Sequence, residues 1–568
     1  MDEEIQLGIS SDVMWSSSER PLEEGIVSWT SSILVHPGAV LSILSLLPSI
    51  YSSDSRWMVG AQYYCSLLLK ALLKPERNQQ LMCQVDMPRH LLTIASKLFL
   101  CENHILLQPF YYILERLSYQ AMQPNQLRRF LRLDLPLCCR NLDETVDDVP
   151  VRANEGGPVP LQRVKALVSM MTPRDQRLSH APSFVELDMA MEGFGALFIP
   201  SLAPMFSSSR TERVFPPLGG LTFSTWMYID SLSDKRVDAH PIRLLTLTRT
   251  RRKMKIAKYP SEKVIRIAMA DILRVMEWTH ICIVLTRSVL KPSQAMVFIN
   301  GRLLTSQRLQ YIVQTAGGAA TQLAHTHAVN AVMGTLPAIR RPSKLRYRIA
   351  STFLIEEPLS PDTVRSLFCL QPHYVGNLQT AGLEGNALVQ EERLGISLND
   401  NSTPLRILLN TAAHAPGAGR AFGAVVIGYL GMRSFTPRPV PRLLDSMGGF
   451  ACLYGLVAMA TDSEGLYASL KAVVSAVRSN SNLQTTLHTS RAYQTLAVLL
   501  EDKASLLNSH IMHMVFSMVG TLDTTREIAT IPNAQAFEDL LCDLDVWNKA
   551  PEEQHRLLYE HFYELITE

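Results

Sequence analysis

Two hydrophobic periods alternate along this chain of 568 residues. Over residues 37–137 apolar side chains recur at steps of three and four, as at Val40, Ile43, Leu44 and Leu47, which is the spacing that lines one face of a helix. Further helical stretches fall at 57–73, 91–99, 105–117 and 127–135, with Pro75, Asn78, Pro88, Asn103, Pro124 and Asn125 between them. Short helices packed this densely predict stacked helix pairs over 1–142. That expectation rests on helix density, because no clean repeat period is visible.

Residues 143–182 change character. DETVDDVPVRANEGGPVP is acidic and then rich in glycine and proline, and reads as a boundary. From Phe184 the period becomes two, beginning with Val185, Leu187 and Met189 in FVELDMA. ALFIPS, GLTFSTWMYID, RLLTLTR, VIRIAMA, WTHICIVLTR, QAMVFING, NAVMGT and RYRIASTFLIEEPLS follow. Many short strands separated by turn signals predict an antiparallel sandwich over 183–378. The sharpest local signal is Asn300–Gly301 between two apolar runs, a pair suited to a type I′ hairpin in which both central residues need positive φ.

Beyond Asn377 the helical period returns. Leu466, Leu470, Val473, Val474 and Val477 form one stripe, and Ile511, Met514, Val515, Met518 and Val519 another. Phe537, Leu540, Leu541 and Leu544 form a third, and Leu557, Leu558, Phe562, Leu565 and Ile566 a fourth. A second helical segment is therefore expected over 379–568. The fold class is multidomain α+β, with α-solenoid segments flanking a β-sandwich.

Composition narrows the function classes. Hydrophobic residues are 47 % and charged residues 19 %, enough for sizeable cores. A net charge of +2 does not argue for nucleic acid as a partner. The nine cysteines follow no framework, which fits a reducing compartment, cytosol or nucleus. The first residues, MDEEIQLGISSD, are acidic and lack the apolar region of a secretory signal. The uncharged stretches at 27–53 and 446–461 read as buried helices rather than membrane spans.

Catalytic chemistry finds little support. GxSxG, Walker A and HExxH patterns are absent. PGAGRAFG (416–423) is glycine-rich, but Arg420 interrupts it and no strand is read before it, so a helix–helix connection is expected. His510 and His513 sit three apart on one helix without converging acids, and His325 and His327 have no partner cluster. No metal or cofactor is expected. Asp230, Asp234 and Asp238 lack the glycine and distal glutamate of a calcium loop. Glu356 and Glu357 point to opposite sides of an extended segment and do not supply a glycosidase pair.

Trp278 and His280 share one strand face. A core tryptophan beside a hydrogen-bonded histidine is the preferred reading, and a sugar-stacking pair on a lectin-like face is the alternative. Two cationic runs are the strongest candidate site. RTRRKMKIAK supplies Arg249, Arg251, Arg252, Lys253, Lys255 and Lys258, and RRPSKLRYR supplies Arg340, Arg341, Lys344, Arg346 and Arg348. Sharing one surface, they would meet anionic lipid headgroups or acidic peptide, at about 1 kcal/mol per cation near a charged membrane. The structural alternative is a set of strand-edge cations that deter edge-to-edge pairing.

Several collinear runs resemble one family. FPPLGGLTFSTWMYID, HPIRLLTLTR, EWTHICIVLTRS, VFINGRLL, NAVMGT, TFLIEEPLS and PHYVGNLQ, in that order, resemble the concanavalin A-like domain of the large BEACH-domain proteins. KPERNQQLMC, RRFLRLDLPLCC, LVSMMTPRDQRL, LDMAMEGFGALFIPSLAP, LLDSMGGFACLYGLVAMATDSEGLYASLKAVV, SLLNSHIMHMVFSMVGTLD and PNAQAFEDLLCDLDVW resemble its autophagy-linked, FYVE-bearing branch. The resemblance implies a concanavalin A-like jelly roll between armadillo-like segments. It also implies a non-catalytic scaffold in selective autophagy of protein aggregates, with adaptor proteins as partners and a peripheral association with membranes. The family's FYVE, BEACH and WD-repeat modules have no counterpart among these residues, so either a segment of a longer protein or a shortened relative is expected.

Overall fold

In the computed structural model the chain divides into two compact units, Met1–Ser179 with Arg438–Glu568, and His180–Pro437. The described residues are 34–47, 55–131, 159–172, 182–199, 217–250, 273–309, 328–374 and 431–567, with strands at 405–409, 420–421 and 425–427; positions 35, 96–98, 100–104, 218, 235, 289–291 and 521–530 are excepted.

The first unit is helical. Its early helices include Pro37–Leu46, Ser55–Leu72, Leu107–Gln120 and Leu161–Met171, and its later ones Phe450–Met459, Ser463–Ser479, Ser509–Val519 and Glu552–Thr567. Local chemistry sets several starts. Asp462 accepts the amide of Gly465 at 2.7 Å, and Asn508 accepts that of Ile511 at 3.0 Å, each satisfying an otherwise unpaired first-turn donor. Pro37 occupies the first helical turn, where its missing N–H costs nothing.

The apolar stripes of early and late helices bury against one another. Leu44, Phe110 and Leu167 share a single core with Leu470, Val515 and Trp547. Each such side chain contributes about 1.5–3 kcal/mol on leaving water. Lys165 and Glu464 close an ion pair between the two segments at 2.5 Å. The two helical segments expected to flank the sheets thus form one unit with one core. Periodicity identifies which face of a helix is buried, but not which distant helix buries it.

The second unit holds two sheets. Its strands are β1 Phe184–Asp188, β2 Gly195–Ile199, β3 Gly220–Ser231, β4 Thr246–Thr250, β5 Trp278–Thr286, β6 Ser293–Ile299, β7 Arg302–Leu309, β8 Ala328–Thr335, β9 Arg346–Ile355, β10 Leu405–Leu409, β11 Arg420–Ala421, β12 Val425–Ile427 and β13 Met432–Phe435. The larger sheet runs β11-β10-β9-β3-β5-β6-β7, with β1 paired to β9 and β13; the smaller runs β12-β2-β8-β4. Pairing is antiparallel except between β10 and β11. Leu187, Phe223 and Ile349 of the larger sheet and Leu197 and Met333 of the smaller lie in one core. The other face of the larger sheet is partly covered by helix Pro361–Cys369, whose Val364 and Leu367 pack with Cys282, Phe298 and Phe353.

The β6–β7 turn matches its sequence signal. Asn300 and Gly301 both have positive φ, 49° and 73°, and Ile299 pairs with Arg302. The expected return to helix at 379 is not what the structure shows. Strands β10–β13 belong to the two sheets, and the next described helix begins at Val440. LRILL and VVI are short apolar runs, which fit a buried strand and a helix equally by period. PGAGRAFG is not a helix–helix connection either: Arg420 and Ala421 pair with Arg406 and Ile407.

Candidate functional site

Strand register builds a row of side chains across the larger sheet. Glu186 on β1 stands opposite Arg433 on β13 and Arg348 on β9; Arg348 stands opposite Tyr228 on β3, and Tyr228 opposite Trp278 on β5. Directly opposed residues share a face. Asp230, two residues beyond Tyr228, lies on that face too.

These groups are buried and bound to each other. The Arg433 side chain donates to Glu186 from Nε at 3.1 Å and from Nη2 at 2.6 Å. Arg348 donates to Asp230 from Nε at 3.1 Å and from Nη2 at 2.9 Å, and its Nε lies 3.7 Å from Glu186. The Arg348 guanidinium lies 4.8 Å from the Phe184 ring centre and 5.0 Å from that of Tyr228. Burial pushes the Asp230 carboxyl above its ordinary range, while Arg348 pulls it back down. Two carboxylates are thus shared among the arginines of this cluster.

A second polar contact lies further along the same face of the sheet. Ser224 Oγ is 2.9 Å from His280 Nε2, and both residues are buried. His280 stands beside the rings of Trp226 and Phe368, at 5.1 and 6.1 Å between ring centres. Burial alone holds its pKa down to about 4, so the imidazole is neutral at physiological pH. The hydrogen-bonded histidine expected from the sequence is observed, but the core tryptophan expected at Trp278 is not, because that side chain is only partly covered. Trp278, half-buried, packs on Phe184 and Tyr228 at 6.5 and 5.4 Å between ring centres.

The cationic candidates separate. Arg251, Arg252, Lys253, Lys255 and Lys258 lie outside the described residues, and Arg249 is described only by its backbone pairing with Val329 on β8. Arg340, Arg341 and Lys344 are exposed. Arg346 is half-buried, 4.0 Å from Asp230. Arg348 is buried in the ion cluster and so does not belong to a surface patch. The reason is register: on β9 Arg348 stands between Glu186 of β1 and Tyr228 of β3, on the face that also carries Asp230.

The other candidate residues are placed as follows. Asp230 is in the ion cluster, Asp234 accepts the amide of Arg236 at 2.8 Å, and Asp238 accepts those of Asp234 and Lys344, each at 2.5 Å. Backbone donation, first from Lys344, holds the Asp238 carboxyl below its ordinary range. His510 and His513 are exposed on helix Ser509–Val519. His325 and His327 lie outside the described residues. Among the described residues no cluster of metal-ligating side chains occurs, and no helix is long and apolar enough to cross a membrane.

The chain is similar to WD repeat- and FYVE domain-containing protein 4 of Mus musculus and of Homo sapiens, at 27 % identity in each case over 97 % of the chain. It spans about a fifth of the length of these relatives, 21 %. No family model matches it. Among solved structures it was matched to the binding domain of Paraclostridial Mosquitocidal Protein 1 at 16 % identity, over 26 % of this chain and 37 % of that chain, with a TM-score of 0.18. The botulinum neurotoxin serotype D ligand binding domain, solved with N-acetylneuraminic acid, matched at 10 % identity over 33 % of this chain and 42 % of that chain, with a TM-score of 0.19.

Proposed function

We propose that this chain is a non-catalytic scaffold segment of an Alfy-like BEACH-family protein, presenting surfaces to other proteins in selective autophagy of protein aggregates. The similarity to WD repeat- and FYVE domain-containing protein 4 over 97 % of the chain carries the reading. The finer fold assignments, armadillo-like helices and a concanavalin A-like jelly roll, belong to the same proposal. Their support is the stacked amphipathic helices and the core shared by two largely antiparallel sheets. The cytoplasm is the proposed compartment.

Physical chemistry agrees with a scaffold. The carboxylates and guanidiniums that converge inside the sheet unit neutralise one another, and Ser224 and His280 are buried among aromatic rings. A scaffold acts by holding partners near one another, which raises their effective concentration without a reacting group.

The test is proximity labelling in cells carrying protein aggregates, with the whole chain fused to a labelling enzyme and an unrelated helical repeat as control. Enrichment of autophagy adaptors over the control is expected; identical labelling by both would overturn the reading. A glycan array probed with the whole chain separates the lectin-like alternative, which requires saturable binding to a defined glycan.

A further inference from the structure

Three loops of the sheet unit are tied together at one place. They are 189–194 between β1 and β2, 232–245 between β3 and β4, and 336–345 between β8 and β9. Arg341 donates its amide to the Gly193 carbonyl at 2.8 Å, and Lys344 donates its own to Asp238 at 2.5 Å. Ser231 Oγ donates to the Lys344 carbonyl at 2.5 Å. Gly193 has a φ of +74°, and a Cβ there would stand 2.5 Å from the Pro342 nitrogen, so the close approach of two of the loops requires glycine.

The acids of this cluster are turned onto backbone donors. Asp188 accepts the Ala190 amide at 3.0 Å, Glu192 that of Gly431 at 3.3 Å, and Asp234 and Asp238 those already described. Arg236, Arg340, Arg341 and Lys344 are exposed, as is Asp234, so cations outnumber carboxylates four to one among the exposed charges described in these loops. Aliphatic side chains stand among them, with Val237 at 79 % exposure, Leu232 at 38 % and Ile339 at 37 %.

We infer that this loop cluster is a docking face for an anionic lipid bilayer, with Val237, Leu232 and Ile339 entering the headgroup boundary while Arg236, Arg340, Arg341 and Lys344 meet lipid phosphates. An acidic peptide would be served by the cations alone. Aliphatic side chains standing outward between cations match an interface that is anionic at its surface and apolar just beneath. The inference names one partner of the scaffold, and its failure leaves the adaptor-labelling result untouched.

Co-sedimentation of the full chain with vesicles tests it. Binding is expected to vesicles of phosphatidylcholine with phosphatidylserine, weakening with added salt, and not to phosphatidylcholine alone. Each surface cation is worth about fivefold in partitioning, so neutralising Arg340 and Arg341 together, each to Gln, is expected to cost about 25-fold. Val237→Asp is expected to reduce binding as well, while soluble glycerophosphoserine does not compete. Unchanged far-ultraviolet circular dichroism and unchanged melting show that each variant still folds. The inference is overturned if the Arg340→Gln/Arg341→Gln chain binds as the parent does. It is also overturned if Val237→Asp has no effect while a polyglutamate peptide displaces the vesicles, which would mark a site for acidic protein.

Discussion

Arg340 and Arg348 belong to one cationic run, RRPSKLRYR, yet they have opposite fates. Arg340 projects from the loop before β9 into solvent. Arg348, eight residues later, is buried against two carboxylates and two aromatic rings. Charge density along a sequence therefore does not locate a surface patch; the point at which the backbone enters a sheet does. Up to that point cations remain available to a partner, and beyond it they are committed to the fold.

The comparison can be broken most forcefully at Arg348. Arg348→Ala leaves Glu186 and Asp230 short of a buried counter-charge and is expected to destabilise the sheet unit by about 3–5 kcal/mol. Urea denaturation followed by fluorescence reads this, since Trp226 and Trp278 both lie in that unit. A loss below about 1 kcal/mol would show that the cluster is not buried as described.

A pH titration sharpens the same contrast inside the sheet. His280 has a folded pKa of about 4 against an ordinary 6.5. Between those values the unfolded chain binds the proton more readily, so the contribution is complete above pH 6.5 and is lost as pH falls towards 4. At about 1.4 kcal/mol per unit, the loss is about 3 kcal/mol. Asp230, with its folded pKa raised, acts in the opposite sense: it favours the folded state at low pH and is lost as a stabilising effect on rising through its folded pKa. Melting of the parent against His280→Gln isolates the histidine, and equal pH profiles would contradict its burial.

Smaller effects belong to the loops. Gly193→Ala forces a left-handed φ on an alanine and a clash with Pro342, costing about 1–3 kcal/mol in melting experiments. Arg340→Gln is expected to change stability by less than about 0.5 kcal/mol, because its side chain is exposed.

What the sequence reveals divides along the same line. The β6–β7 hairpin was legible because Asn300–Gly301 carries its turn chemistry within two residues. The stripe Leu466–Leu470–Val473–Val477 was legible because helical period alone marks the buried face. Glu186 and Arg433, 247 residues apart, give no local signal of their pairing, and neither does the core shared by Leu44 and Trp547. Alternation at the start of β9 offered a partial clue. RYRIAS sets Arg346 and Arg348 on one side of a strand whose other side is apolar, a pattern that also suits a solvated face.

Arginine-selective labelling of the folded chain, read by mass spectrometry residue by residue, tests the division of the cationic run most directly. The account predicts rapid modification of Arg340 and Arg341, with Arg348 and Arg433 protected until the sheet unit unfolds. Modification of Arg348 at the rate of Arg340 would contradict it, and would return the whole run to the surface.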